Sequence, residues 1–235
     1  MDLVFLLKDF IRCNGNFQLW LKRRSIKSLF GDLDTETSYF RHVETSKGDK
    51  FLISENLDSV LEAARDYCYH EIKPNDIVID IGANVGGFSI PASHLCKKVI
   101  SVEPIMTEEL KYNVILNNRQ NIEILEVGLG NGQVLDVTWR GKNQKTKTMT
   151  LSEIVLLAGG CDFLKCDCEG FEWFIEPEDL SGIRHVDIET HHINPSENDP
   201  EELLAFIRRH YNINSYLKLN KNPIIRDNIH AERKN

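Results

Sequence analysis

No apolar run in these 235 residues is long enough to cross a bilayer, which takes about 20 residues in a helix. The opening stretch Leu3 to Leu7 is too short for a signal peptide and follows an acid at position 2. Six cysteines are present, yet they form no C-x-x-C pair of the zinc-binding kind. They read as small buried hydrophobes, and a reducing cytoplasm is the expected setting. Positive charge is not in excess either. The net charge is -8 and the pI about 5.5, which disfavours a nucleic-acid partner. Two local basic clusters, Lys22 to Arg24 and Lys142 to Lys147, read as solvated surface. Repeats and low-complexity segments are missing. The chain therefore reads as one domain at 57–235, preceded at 1–56 by an appendage of helices and a β-hairpin.

What is present centres on residues 77–90, with the sequence IVIDIGANVGGFSI. Ile77 to Ile81 is a short apolar run with one acid, as in a strand of a parallel sheet buried on both faces. Gly82, Ala83, Asn84, Gly86 and Gly87 follow as a tight turn of small residues that lets a ligand approach the main chain. A helix is then expected over Phe88 to Cys96. Strand, small-residue turn and helix N-terminus together make the usual nucleotide site of an open α/β sheet. The next strand, Lys98 to Pro104, ends in Glu103, about twenty residues past the turn, where a carboxylate meets ribose hydroxyls. A dinucleotide fingerprint is lacking, because Asn84 stands where the middle glycine of G-x-G-x-x-G belongs. Asp80 would repel a phosphate and suits an ammonium. The expected ligand is therefore S-adenosylmethionine rather than NAD. Removing Asp80 or Glu103 should weaken its binding and leave the fold intact.

Around this centre the pattern predicts helices within 1–30, a hairpin over Tyr39 to Ile53, and a helix from Asn56 or Asp58 to about His70. A helix over Thr107 to Asn118 is expected, with Thr107 as N-cap. Strands follow at Ile122 to Val127, Val134 to Trp139 and Lys147 to Thr150, with a polar loop over Gly141 to Thr146. A short helix spans Leu151 to Leu157. Core strands cover Phe163 to Cys168 and His185 to Thr190, a helix Asp199 to His210, and a closing hairpin Ile213 to Ala231. Strand-helix alternation of this kind argues for a parallel α/β sheet.

The fourth core strand carries Lys165, Asp167 and Glu169 on one face and Cys166 and Cys168 on the other. Three charges on one face are costly unless they pair or serve a reaction. Asp167 or Glu169 is a candidate base for a substrate proton, with Lys165 holding that carboxylate in place. Glu172 joins them if a helix starts there. Glu189, His191 and His192 fall at a neighbouring strand end, where a histidine is a candidate base and two histidines with carboxylates a candidate metal site.

These stretches resemble the FkbM-like family of S-adenosylmethionine-dependent methyltransferases. The likeness rests on Asp80 to Gly86, Val102 to Pro104, Leu110 with Asn113 and Asn117, Thr150 to Glu153, Lys165 to Gly170 with Glu172, and Ile188-Glu189. It implies a class I methyltransferase (Rossmann-like) three-layer sandwich with a mostly parallel seven-stranded sheet and a C-terminal antiparallel hairpin. It implies a cofactor site of Asp80, Gly82, Ala83, Asn84, Gly86, Glu103, Pro104, Gly128 and Asp167. Catalysis would fall to Lys165, Asp167, Glu169 and His191, with no metal required. It further implies O-methylation of a sugar, glycan or small metabolite. A tRNA guanine methyltransferase of the same fold is the rival, suggested by Gly87 to Pro91 and Asn113 to Asn118. A cofactor-binding module without catalysis is another.

Overall fold

A computed structural model describes residues 42–52, 54, 57–139, 142–217 and 225–234; the helices expected within 1–30 and the hairpin's start at Tyr39 lie outside them. Contacts divide the chain into Met1–Ile53 and Ser54–Asn235. In the first unit, strands β1 (His42–Glu44) and β2 (Lys50–Leu52) pair antiparallel across a turn at Gly48, whose φ is 86°.

In the second unit, strand alternation decides what is core. Ile79 and Ile81 of β3 (Ile77–Ile81) join a buried apolar cluster with Ile100 and Val102 of β4 (Lys98–Val102). Leu164 and Cys166 of β9 (Phe163–Cys166), Val186 and Ile188 of β10 (His185–His191), and Ile229 and Ala231 of β12 (Ile225–Arg233) complete that face. Helices α4 (Leu151–Ala158) and α5 (Pro200–His210) cover it. The intervening residues make the opposite face, and it is polar: Asp80, Ser101, Lys165, His185 and Asp187 are all buried there. Helices α1 (Leu57–Asp66) and α2 (Ser89–Ser93) lie on that side. Phe88 stacks there on Phe163, and Gly87 is so close to Val60 that a Cβ would sit 2.8 Å from its Cα.

The seven-stranded sheet has the order β11-β12-β10-β9-β3-β4-β5, with β5 at Ile122–Leu125 and β11 at Tyr211–Leu217. Only β12 runs against its neighbours. This is the mostly parallel α/β sheet with a closing antiparallel hairpin that the sequence predicts. A separate sheet joins β6 (Gly128–Leu129), β7 (Val134–Trp139) and β8 (Lys142–Met149). Residues 142–146, expected as loop, are thus strand, paired with β7 from Trp139 to Leu135.

Three helix boundaries differ from expectation. α2 stops at Ser93 because the Asn121 amide takes the carbonyls of Ser93 and Cys96, at 2.9 and 3.3 Å. α3 (Thr107–Leu116) has Met106 as its N-cap, and Thr107 donates instead to the Glu103 carbonyl at 3.1 Å. α1 ends at Asp66 rather than His70, since Tyr67 and Cys68 turn inward to bond Asp167 and Asp187.

At α4 a reciprocal cap fixes the start. Thr150 Oγ1 accepts from the Glu153 N–H at 3.3 Å, and Glu153 Oε2 accepts from the Thr150 N–H at 2.9 Å. Thr150→Ala is expected to cost about 1 kcal/mol. The urea midpoint should fall with the slope unchanged; an unmoved midpoint would show that the cap contributes nothing.

Candidate active site

The turn after β3 is built by backbone bonds to its neighbour. The N–H groups of Gly82 and Ala83 both donate to the Val102 carbonyl, at 3.0 and 3.1 Å. Gly82 has φ 72°, and a Cβ on it would lie 1.8 Å from the Asp167 carbonyl oxygen. Its glycine therefore serves the close approach of two strand tips, not only of a ligand. Asn84, at φ 50°, donates its N–H to Glu103 Oε2 at 2.8 Å. Glu103 Oε1 takes the N–H groups of Ile105 and Met106, at 2.7 and 2.9 Å. The acid past β4 is thereby locked to the turn, as a ribose-binding carboxylate requires.

Asp80 sits behind this turn with no exposure. Ser89 Oγ donates to its Oδ2 at 2.5 Å, and Lys165 Nζ lies 3.0 Å from its Oδ1 in an ionic contact outside hydrogen-bond geometry. Lys165 also donates to the carbonyls of Ile81 and Gly82, at 3.1 and 2.8 Å. Burial opposes its charge, but Asp80 outweighs burial and raises the lysine's pKa. The expectation that Lys165 holds Asp167 or Glu169 is therefore corrected. It neutralises Asp80 and clamps the turn, and Asp80 is engaged by Lys165 and Ser89 with no exposure of its own.

Past the end of β9, Asp167 donates its N–H to the Ile81 carbonyl at 3.1 Å, and Tyr67 Oη donates to its Oδ2 at 2.9 Å. Glu169 has φ 60°, and Gly170 at φ 105° is crowded against the Ile193 carbonyl. A non-glycine residue held left-handed is a strain found at functional sites. Glu169 stays 45% exposed, while burial and then the Asp167 charge push its pKa up to about 7. A short helix, Phe171–Phe174, does start beside it, and Glu172 is wholly buried there.

His191, 1% exposed, is not a free base. Its N–H donates to Glu172 Oε1 at 2.6 Å, and its Nδ1 lies 3.1 Å from the same oxygen. Its Nε2 faces Glu189 at 3.5 Å, Glu169 at 3.6 Å and Asp167 at 3.9 Å. Burial alone would lower its pKa, but bonds to Glu172 and Glu189 outweigh that and push it to about 11. His191 is an imidazolium ringed by carboxylates at neutral pH. His192 is exposed. Asp167, Glu169 and His191 each offer an atom within 4.8 Å of the others, so a cation there would compete with the imidazole's proton.

Gly128 lies on β6, where a Cβ would touch Thr146, Thr148 and, at 4.0 Å, Pro104. A depression of about 390 Å³ beside Pro104 is lined by Glu108, Glu126, Gln144, Lys145 and Lys147 among others. Tyr67 is the site residue that sequence reading missed. It is 100 residues from Asp167 and falls inside the stretch expected as helix to about His70.

No family model matches the chain. A stretch of 87 residues is 34% identical to a protein of Methanosphaera stadtmanae named probable ribosomal RNA small subunit methyltransferase A, covering 36% of this chain and 30% of that protein. The chain thus spans less than a third of this curated relative. Among solved structures it is similar to Trm5b from Pyrococcus abyssi, with 14% identity, 83% of this chain and 56% of that chain covered, and a TM-score of 0.50. An rRNA methylase from Streptococcus thermophilus is similar at 11% identity, 78% and 99% coverage, and a TM-score of 0.50. At such identities the likeness is one of fold, and the fold is the Rossmann-like α/β fold of class I methyltransferases. Two expectations change. The FkbM-like likeness finds no family model behind it, and what stands is the broader likeness to class I methyltransferases. Nucleic acid was disfavoured and a small-molecule or glycan acceptor expected; the curated relative, named for ribosomal RNA, overturns that preference. Net charge is a whole-chain sum, and Lys145 and Lys147 stand exposed on β8 beside the Pro104 depression.

Proposed function

We propose that the chain is an S-adenosylmethionine-dependent methyltransferase acting on RNA. One observation carries the cofactor: the tips of β3, β4 and β9 converge, with Glu103 tied to the turn and Asp167 against Gly82. The residues fit the group. Among the described residues Asn84 Oδ1 is a buried acceptor without a hydrogen-bond partner, and Glu103 Oε2 accepts a single bond. Asp80, Asp167, Glu169, Glu172 and Glu189 outnumber Lys165 and His191, so the floor favours a cationic ligand over a phosphate.

When bound, S-adenosylmethionine supplies a methyl group made electrophilic by its sulfonium. Glu103 and Asn84 would hold the adenosyl end. The tip at Asp167 and Glu169 would hold the acceptor in line and take its proton. Tyr67 fixes Asp167, and Glu172 fixes His191, so the acids have set positions. The Lys165 to Gly170 pattern supports an FkbM-like origin for this floor. The five described cysteines are free, which suits a reducing cytoplasm.

RNA is favoured by the ribosomal-RNA relative and by the exposed lysines of β8. Methyl-labelled cofactor incubated with the chain, total RNA and a low-mass metabolite fraction should label RNA. Label confined to the metabolites would overturn the RNA reading, and label nowhere would favour a cofactor-binding module. Glu103→Ala should weaken cofactor binding by about tenfold or more, since a charge-assisted bond contributes roughly 1.5–3 kcal/mol. Equal affinity in calorimetry would remove Glu103 from the site.

A further inference from the structure

A second cluster occupies the polar sheet face nearer the start of β10. Asp187 is fully buried, and its Oδ2 accepts the Cys68 N–H at 2.7 Å. Its Oδ1 lies 2.8 Å from both His185 Nε2 and His230 Nδ1. Cys68 Sγ, an Asp187 oxygen and a His230 ring nitrogen are all within 4.8 Å of one another. His185 and His230 are buried, while Cys68 is partly exposed and leaves one side open to solvent. Asp187 Oδ1 takes both imidazoles, so one carboxylate gathers two histidines, and with them the Cys68 thiol, into a single cluster. Methyl transfer uses none of these groups.

We propose that Cys68, Asp187 and His230, with His185 as a fourth donor, form a binding site for a zinc-like divalent cation. A thiolate with imidazoles and one carboxylate is a borderline-soft set, which selects zinc over magnesium or calcium. Tetrahedral zinc at about 2.0–2.3 Å from its ligands sets them about 3.3–3.8 Å apart. Among Cys68, Asp187 and His230 the observed separations, from 2.8 Å to within 4.8 Å, bracket that range, so small side-chain rotations close the site, with His185 Nε2 2.8 Å from Asp187. The ligands come from the segment after α1, from β10 and from β12. The cation would pin that segment to the sheet, and with it Tyr67, which holds Asp167.

The test loads the full chain with cobalt(II). One cobalt per chain is expected, with a thiolate-to-cobalt charge-transfer band that zinc abolishes. Cys68→Ser should lose the band and weaken zinc binding by about tenfold or more, with far-ultraviolet circular dichroism unchanged. Should that variant not fold, the wild-type chain still decides. One equivalent of zinc should protect Cys68 from alkylation and leave Cys96 and Cys168 as reactive as before. No bound metal, a cobalt spectrum without the thiolate band, or Cys68 alkylation indifferent to zinc overturns the proposal.

Discussion

Asp167→Asn and Glu169→Gln each lower turnover by about 10²–10⁴-fold and depress cofactor affinity much less, if these carboxylates take the acceptor's proton. The reason is positional. Both stand at the tip of β9, beside the turn that would hold the methyl donor, and each has a restraint: Tyr67 on Asp167, His191 beside Glu169. The pH dependence follows from Glu169. Burial and Asp167 raise its pKa to about 7, so its ionised, proton-accepting form grows as pH rises through 7. With 45% of the side chain exposed, water screens part of that effect and the midpoint falls at or below 7. The rate should rise with pH and level off, and in Glu169→Gln the rise should vanish. Methyl transfer to total RNA across pH reads this directly. A flat wild-type profile, or the same midpoint in the variant, places the base elsewhere.

Lys165→Met gives the largest expected loss of stability. It strands Asp80 as an unpaired charge with no exposure and removes two donors from the carbonyls of Ile81 and Gly82. Breaking a buried pair from one side costs about 3–5 kcal/mol. For a domain of this size that lowers the melting temperature by on the order of 10 °C. The double variant Asp80→Asn with Lys165→Met should melt higher than Lys165→Met alone, because the stranded charge is gone. By the same argument Asp80→Ala is expected to lower the melting temperature as well as weaken binding, where the sequence alone suggested an effect on binding. A Lys165→Met chain that melts with the wild type would show that Asp80 does not need this partner.

The parts legible in the sequence were those written locally. Ile77 to Gly82 shows a strand and a turn within a few residues, and Glu103 follows at the spacing that ribose binding requires. Lys165, Asp167 and Glu169 stood out because alternation puts three charges on one strand face. What the sequence could not show were pairings across long separations. Lys165 meets Asp80 because β9 lies beside β3, which no local pattern encodes. Glu172 reaches His191 over 19 residues, turning a candidate base into a fixed imidazolium. The end of α1 was misread for the same reason: Tyr67 and Cys68 leave the helix for partners just past β9 and on β10. Nucleic acid was disfavoured from net charge, a sum that says nothing about where lysines stand.

Calorimetric titration of the chain with S-adenosylmethionine, and separately with NAD, bears most directly on the whole account. One S-adenosylmethionine bound per chain, no heat from NAD, and a weakened response in Glu103→Ala is the predicted result. Saturating NAD binding with none for S-adenosylmethionine, or no binding of either, would contradict it.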